Sequence, residues 1–187
     1  MNLLHNLFNV KKSTIDGCCE LIPNVFEDNR GSFVKVFHDD AFANIGLENK
    51  FVEEYYSKSF KGVIRGLHFQ IPPEDHVKLV YCISGSVFDV VVDLRVGSPT
   101  FGQHDTFNLN ADDANMIYIP TGMAHGFCSL TGSSTLVYKT STTHDPACDS
   151  GILWDSVGIE WPEKVPILSN RDKSFSEFKS FKSPFSC

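Results

Sequence analysis

Two side chains within one short stretch have types that can move a proton and hold the charge left behind: His68 in RGLHFQ and Lys78 in KLVYCI. An imidazole with an ordinary pKa of about 6.5 accepts a proton near neutral pH, and an ammonium stabilises an anion beside it. His68, His76, His125 and His144 are the histidines to weigh. Singly, each reads most simply as a surface or satisfied core residue. RGLHFQ and PTGMAHGF, however, both set a histidine beside a glycine, where backbone can approach a ligand closely. Metal ligation is the rival use, and it needs about three or four converging donors. The chain has no HxH pair and no carboxylate at a matching spacing in the same stretches, so no metal and no cofactor are expected. No GxSxG elbow occurs, no cysteine stands beside a histidine in a known signature, and no glycine-rich phosphate loop opens a helix.

The elements that must position these groups are short strands. Residues 63–95 begin with an apolar strand pattern, which Pro72 and Pro73 break by removing ladder donors. A second strand starts at Lys78, Ser84 and Gly85 supply a turn, and a third strand follows as SVFDVVVDL. In it Phe88, Val90, Val92 and Leu94 share one face and read as core wall. On this reading His68 and Lys78 sit on adjacent strands. Arg65 and His68 are three apart and would face opposite ways in a regular strand; a bulge at Gly66 reconciles them.

Upstream, residues 18–26 and 32–38 read as strands around the turn EDNRG, and residues 1–16 as an arm or edge element. Asp39 or Asp40 is the expected cap of a short helix, DDAFANIG, and 51–57 is strand-like. Downstream, strands are expected at 104–109, 115–119, 124–130 and 135–140, with a helical turn at 176–180 in a tail, 173–187, that packs on a partner subunit or lies loose. This cadence of short strands suggests a sandwich or barrel.

Composition narrows the classes. A chain of 187 residues, 42% apolar, is long enough for a proper core and reads as a single domain, 1–187. Its 16 phenylalanines fall in no long apolar run, which argues for a dense β core and against a membrane partner. The start lacks a signal-peptide pattern, and the 6 cysteines form no CxxC pair, so a reduced cytoplasmic protein is expected. A net charge of −7 without a basic run argues against nucleic acid, though converging cations still suffice to bind an anion.

RGLHFQ, KLVYCISGSVFDVVVDLRVGSPTFG, IPTGMAHGF, VYKT, GILW, GIEWP and PILSNRD, in that order, resemble the dTDP-4-dehydrorhamnose 3,5-epimerase family over residues 19–172. The resemblance implies an all-β, cupin-type jelly roll (a double-stranded β-helix barrel) with short peripheral helices. It also implies a homodimer with exchanged N-terminal strands, a metal-free site inside the barrel, and a nucleoside-diphosphate 4-keto-6-deoxyhexose as substrate. A ketone at C4 acidifies the hydrogens at C3 and C5. Epimerisation there needs a base on one face, a holder for the enolate oxygen, and an acid on the other face. His68 matches the family's base, Asp172 the carboxylate that orients it, Lys78 the enolate holder and Tyr138 the acid. Arg65 and His125 would face the diphosphate with Arg171 as helper, and Arg30 the nucleotide; Phe33, Ser57 and Gln70 complete the substrate-binding set.

Departures from the family pattern gather at the nucleobase end. Lys35 stands where glutamate is usual, Glu53 for glutamine, Tyr55 for asparagine and His144 for a stacking tyrosine; Asp149 replaces glutamate. A carboxylate accepts from an amino group and a lysine donates to a ring acceptor, a pair from which thymine gains less, so CDP or GDP is expected to stabilise the protein more than dTDP. The alternatives are a mono-epimerase of C3 or C5 using a CDP- or GDP-linked sugar, a cupin that binds sugar nucleotides without turnover, and a metal-dependent cupin oxygenase.

Overall fold

The computed structural model describes residues 7–187. In chain order they form β1 (Phe8–Lys12), β2 (Cys19–Pro23), β3 (Val25–Asp28), β4 (Gly31–Val34), α1 (Asp39–Asn44), β5 (Glu53–Phe60), β6 (Ile64–Gln70) and β7 (Lys78–Ser84). There follow β8 (Ser86–Asp93), β9 (His104–Asn110), β10 (Met116–Ile119), β11 (Met123–Ser129), β12 (Ser133–Thr140), β13 (Asp149–Gly151), α2 (Asn170–Lys173) and a 3₁₀ turn at Phe178–Ser180. Two sheets result: a six-stranded one, β1-β2-β10-β7-β12-β5, and a five-stranded one, β13-β6-β11-β8-β9. The β3–β4 hairpin stands apart as a two-stranded ribbon. Successive strands β6, β7 and β8 alternate between the two large sheets. That alternation makes a cupin-type jelly roll of the double-stranded β-helix kind.

Side-chain alternation explains why the sheets close on one another. On β7, Val80 and Cys82 enter the core between the sheets, while Leu79 and Tyr81 join a second core that includes Phe42 of α1. On β8, Val87 and Val91 point between the sheets, and Phe88, Val90, Val92 and Leu94 form the expected wall on the outer side. Ile152, Ile159, Trp161, Phe181 and Phe185 cover that wall. Strands buried on both faces lose two rows of apolar side chains from water, each worth about 1.5–3 kcal/mol for a residue the size of valine or leucine.

Several expectations change. His68 and Lys78 lie on consecutive strands that belong to opposite sheets, because the chain from Ile71 to Val77, with its two prolines, carries it across the barrel. They face each other instead of pairing side by side. The strand expected over 18–26 breaks at Asn24, and that over 32–38 stops at Val34. His38, not an aspartate, holds the N-cap of α1, without a side-chain cap bond. Asp39 and Asp40 occupy the first turn instead, where the helix dipole favours acidic groups. β1 is an edge strand paired to β2; the part of the expected arm over residues 1–6 lies outside the described residues. The tail does not lie loose: Phe181 and Phe185 pack against their own chain and Ser186 bridges Val96.

Candidate active site

One end of the barrel interior is left unfilled, as a cavity of about 430 Å³. The bulge at Gly66 is central to it. His125 of β11 pairs with His68 and Phe127 with Arg65, so β6 carries one extra residue in between. Gly66 sits there with φ +138°, and a Cβ on it would fall 2.6 Å from the Gly126 Cα. Only glycine allows this approach. The bulge turns Arg65 and His68 to the same cavity, as the sequence required.

From the five-stranded sheet, Arg65, His68, Gln70, His125 and Asp149 line the cavity; from the six-stranded sheet come Glu53, Tyr55, Ser57, Lys78 and Tyr138. His144 from the loop after β12 and Arg171 from α2 also line it, as do Phe69, Phe127 and His76, none of which the sequence had marked as site residues. Asp172 stands behind His68, 3% exposed, with Oδ1 2.8 Å from the imidazole Nε2. The helix α2 presents it: the Ser169 hydroxyl caps that helix by accepting the Asp172 N–H at 3.0 Å. The Gly66 N–H donates to the other carboxylate oxygen at 3.4 Å. Burial raises the Asp172 pKa, but the bond and charge of His68 outweigh it and hold the carboxylate below its usual range. For His68, burial prevails over Asp172 and draws the imidazole below its usual value, toward the neutral form a base requires.

Facing His68 across the barrel, Lys78 is 7% exposed and donates from Nζ to the His68 carbonyl oxygen at 3.3 Å. Burial pushes its pKa down to about 8. Tyr138 shares a 3.1 Å hydrogen bond between its hydroxyl and Ser57 Oγ, and burial raises its pKa so that the phenol keeps its proton. Tyr55, its ladder partner on β5, stacks on it with ring centroids 4.8 Å apart.

A second histidine–aspartate pair escaped the sequence reading. His125 Nε2 lies 2.8 Å from Oδ2 of Asp89, which is fully buried. Burial raises the Asp89 pKa against the opposing pull of His125. Its signal was present: an aspartate inside FDVVVDL, on the face opposite Phe88 and Val90, must point between the sheets.

Gln70 lines the cavity but spends its amide on structure. Its nitrogen donates to the Glu74 carbonyl at 2.7 Å and its oxygen accepts the Asp145 N–H at 2.7 Å, tying two loops to β6. Its place in the cavity lining fits the role expected of it, and these bonds give it a structural one besides. Arg171 pairs with Asp149 at 2.6 Å. Glu53 accepts the His144 N–H at 2.9 Å. Arg30, Phe33 and Lys35 do not line the cavity; Arg30 pairs with Asp28 on the exposed hairpin, and Phe33 is 62% exposed beside it. The Lys35–Glu53 pair expected to read a base is therefore not assembled within this chain.

A cupin barrel that holds a carboxylate-backed imidazole, a buried ammonium and a protonated phenol around one cavity belongs to the class of enzymes equipped to exchange protons at a carbon acid. The comparisons with known proteins agree. Residues 12–180 match the family model described as dTDP-4-dehydrorhamnose 3,5-epimerase. The protein of that name from Shigella flexneri is 43% identical over 91% of this chain and 96% of its own length. A dTDP-4-dehydrorhamnose 3-epimerase from Streptomyces niveus is 41% identical over 85% of this chain and 78% of its own. Among solved structures, a dTDP-6-deoxy-D-glucose-3,5-epimerase from Legionella pneumophila in complex with dTDP-4-keto-L-rhamnose superposes with a TM-score of 0.90 at 33% identity, covering 94% of this chain and 95% of that one. The chain belongs to the dTDP-4-dehydrorhamnose 3,5-epimerase family and is a sugar-nucleotide epimerase.

Proposed function

We propose that the chain epimerises a dTDP-linked 4-keto-6-deoxyhexose at the carbons flanking its ketone, in deoxysugar and surface-polysaccharide biosynthesis, as one cupin-like domain spanning 1–187. The observation that carries this reading is the placement of base and acid: His68 stands on the five-stranded sheet and Tyr138 on the six-stranded one, with the cavity between. His68, held in orientation by Asp172, removes the proton next to the C4 carbonyl. Lys78 meets the enolate oxygen that develops, where low dielectric makes its charge count most. Tyr138 then returns a proton to the opposite face, and that inverts the centre. Arg65, His125 and Arg171 serve the diphosphate, the two arginines bringing the cationic charge on which a chain of net charge −7 must rely. The mouth residues Glu53, Tyr55 and His144 serve the nucleoside. Thymine is favoured over cytosine or guanine because the Glu53 carboxylate is engaged by the His144 N–H and because the relatives named above act on dTDP sugars.

The working unit is a homodimer whose hairpins enter each other's cavities. Exposed Phe26 and Phe33 on the hairpin, with Tyr56 and Phe60 on the edge strand β5, support this, since large apolar side chains seldom stay in water together. No helix among the described residues is long and apolar enough to cross a membrane. The protein works in the cytoplasm, where its free thiols stay reduced. Incubation with a dTDP-4-keto-6-deoxyhexose in D2O is expected to place deuterium at both C3 and C5 of the product. The 3-epimerase relative favours a second reading in which only one centre inverts, and exchange into product at a single carbon selects it. No exchange at either carbon, on thymidine, cytidine or guanosine sugars alike, overturns both in favour of a binding module.

A further inference from the structure

We propose that Phe175 is a positioning residue of this site: it sets the plane of the His68 imidazole, keeps water from the His68–Asp172 pair and seats the Arg171 guanidinium. The inference rests on His68 being the base. Phe175 follows α2 by two residues, and its ring meets His68 edge-on, with centroids 5.7 Å apart at 68°. The Arg171 guanidinium lies 5.1 Å from the centroid of the same ring, within reach of a cation–π contact. The third contact is Gly151, the ladder partner of His68 on β13. A Cβ on Gly151 would fall 2.5 and 2.6 Å from two carbons of the Phe175 ring and 2.7 Å from the Leu67 carbonyl oxygen. The strand position opposite the base is bare, and this ring occupies the space. Phe178 and Phe181, from the same segment, pack into the outer apolar core, whereas Phe175 is not part of it. Its contacts are with the reactive groups.

Charged and titratable groups reach His68 from every element around it: Asp172 and Arg171 from α2, Lys78 from β7, His125 opposite it on β11, and Asp149 from β13 through Arg171. Burial is the largest influence on its titration and acts downward, Asp172 acts upward, and Arg171 and Lys78 act downward. The Phe175 ring supplies part of that burial. Catalysis needs the neutral imidazole, so letting water in raises the pKa toward its ordinary value and moves the acid limb of the rate profile to higher pH. Loss of the seat under Arg171 raises KM.

The test compares pH profiles of kcat/KM, with kcat, KM and Tm, for the wild type, Phe175→Ala, Phe175→Leu, Phe175→Tyr, Gly151→Ala and Phe181→Ala. Phe175→Ala and Phe175→Leu are expected to lose about tenfold in kcat, the scale of a modest misplacement, and to shift the acid limb upward by ~0.5 pH or more. Phe175→Tyr keeps the ring and the wild-type limb. Gly151→Ala presses on both the ring and the Leu67 carbonyl and shifts the limb in the same direction. Phe181→Ala lowers Tm and leaves the limb in place. An active wild type whose limb is unmoved in both Phe175→Leu and Gly151→Ala overturns the inference alone, as does an equal shift in Phe181→Ala. A wild type without deuterium exchange overturns the base assignment and this inference with it.

Discussion

Lys78 carries its charge where charge is costly. Its pKa falls from 10.5 to about 8 because burial penalises the ammonium. Since the folded value lies below the unfolded one, the unfolded chain binds the extra proton between those limits. Stability from this group is therefore present above pH 10.5 and is lost as pH falls through about 8. Lys78→Met should abolish turnover yet raise stability near pH 7, by about 3 kcal/mol at most, with the gain fading toward pH 10.5. Urea unfolding across that range measures it, and an unchanged or negative difference at pH 7 refutes the account. Tyr138 poses a different question. Tyr138→Phe removes the proton donor and keeps the base, so inverted product should drop by ~10²–10⁴. His68 still removes and returns a proton on its own face, and deuterium should enter recovered substrate. Recovered substrate without label would mean that Tyr138 also takes part in abstraction.

At the scale of elements, the bulge in β6 decides which side chains share the cavity. Gly66→Ala forces a methyl to within 2.6 Å of the Gly126 Cα, and at φ +138° an alanine is strained besides. The expected cost is ~1–3 kcal/mol, as for other overpacked sites. Activity should fall further than stability, because relief of the clash must turn either Arg65 or His68 out of the cavity. A variant with lowered Tm but wild-type kcat per folded molecule would disprove that link. This element was legible in sequence because Arg65 and His68 had to be reconciled and one glycine lay between them. Gln70 was not legible as a latch, since its partners, the Glu74 carbonyl and the Asp145 N–H, are backbone groups of loops whose paths no side-chain pattern records. Gln70→Ala should chiefly raise KM by freeing the loop that carries His144.

At the scale of the molecule, the hairpin tests the dimer. Arg30 lies outside its own chain's cavity and, among the described residues, pairs with Asp28, so within one subunit Arg30→Ala should be silent. With exchanged hairpins it disables the neighbouring site instead. Mixing Arg30→Ala with His68→Ala subunits should then restore about one quarter of wild-type activity, because random pairing leaves one intact site in half the dimers. Mixtures no more active than the sum of the parts would contradict the exchange. Nucleotide binding is a second whole-molecule reading: dTDP should raise Tm more than CDP or GDP at equal concentration, and the reverse order would restore the cytosine or guanine reading.

The chemistry-bearing residues, their order, the strand periodicity and the glycine for the bulge were all present in the linear chain. Each depends on residue type and on neighbours a few positions away, and alternation along a strand is set by local backbone geometry. Only the tertiary structure decided that His68 and Lys78 face each other from opposite sheets and that Asp89 backs His125. It also decided that Phe175 rests on Gly151 and that the tail covers its own barrel. These relations join residues distant in the chain, and pairing between strands is chosen by the closure of the whole barrel around its core. Two strands consecutive in sequence carry no mark of whether they will pair or cross; the sheet each joins is settled by which apolar faces the completed fold can bury.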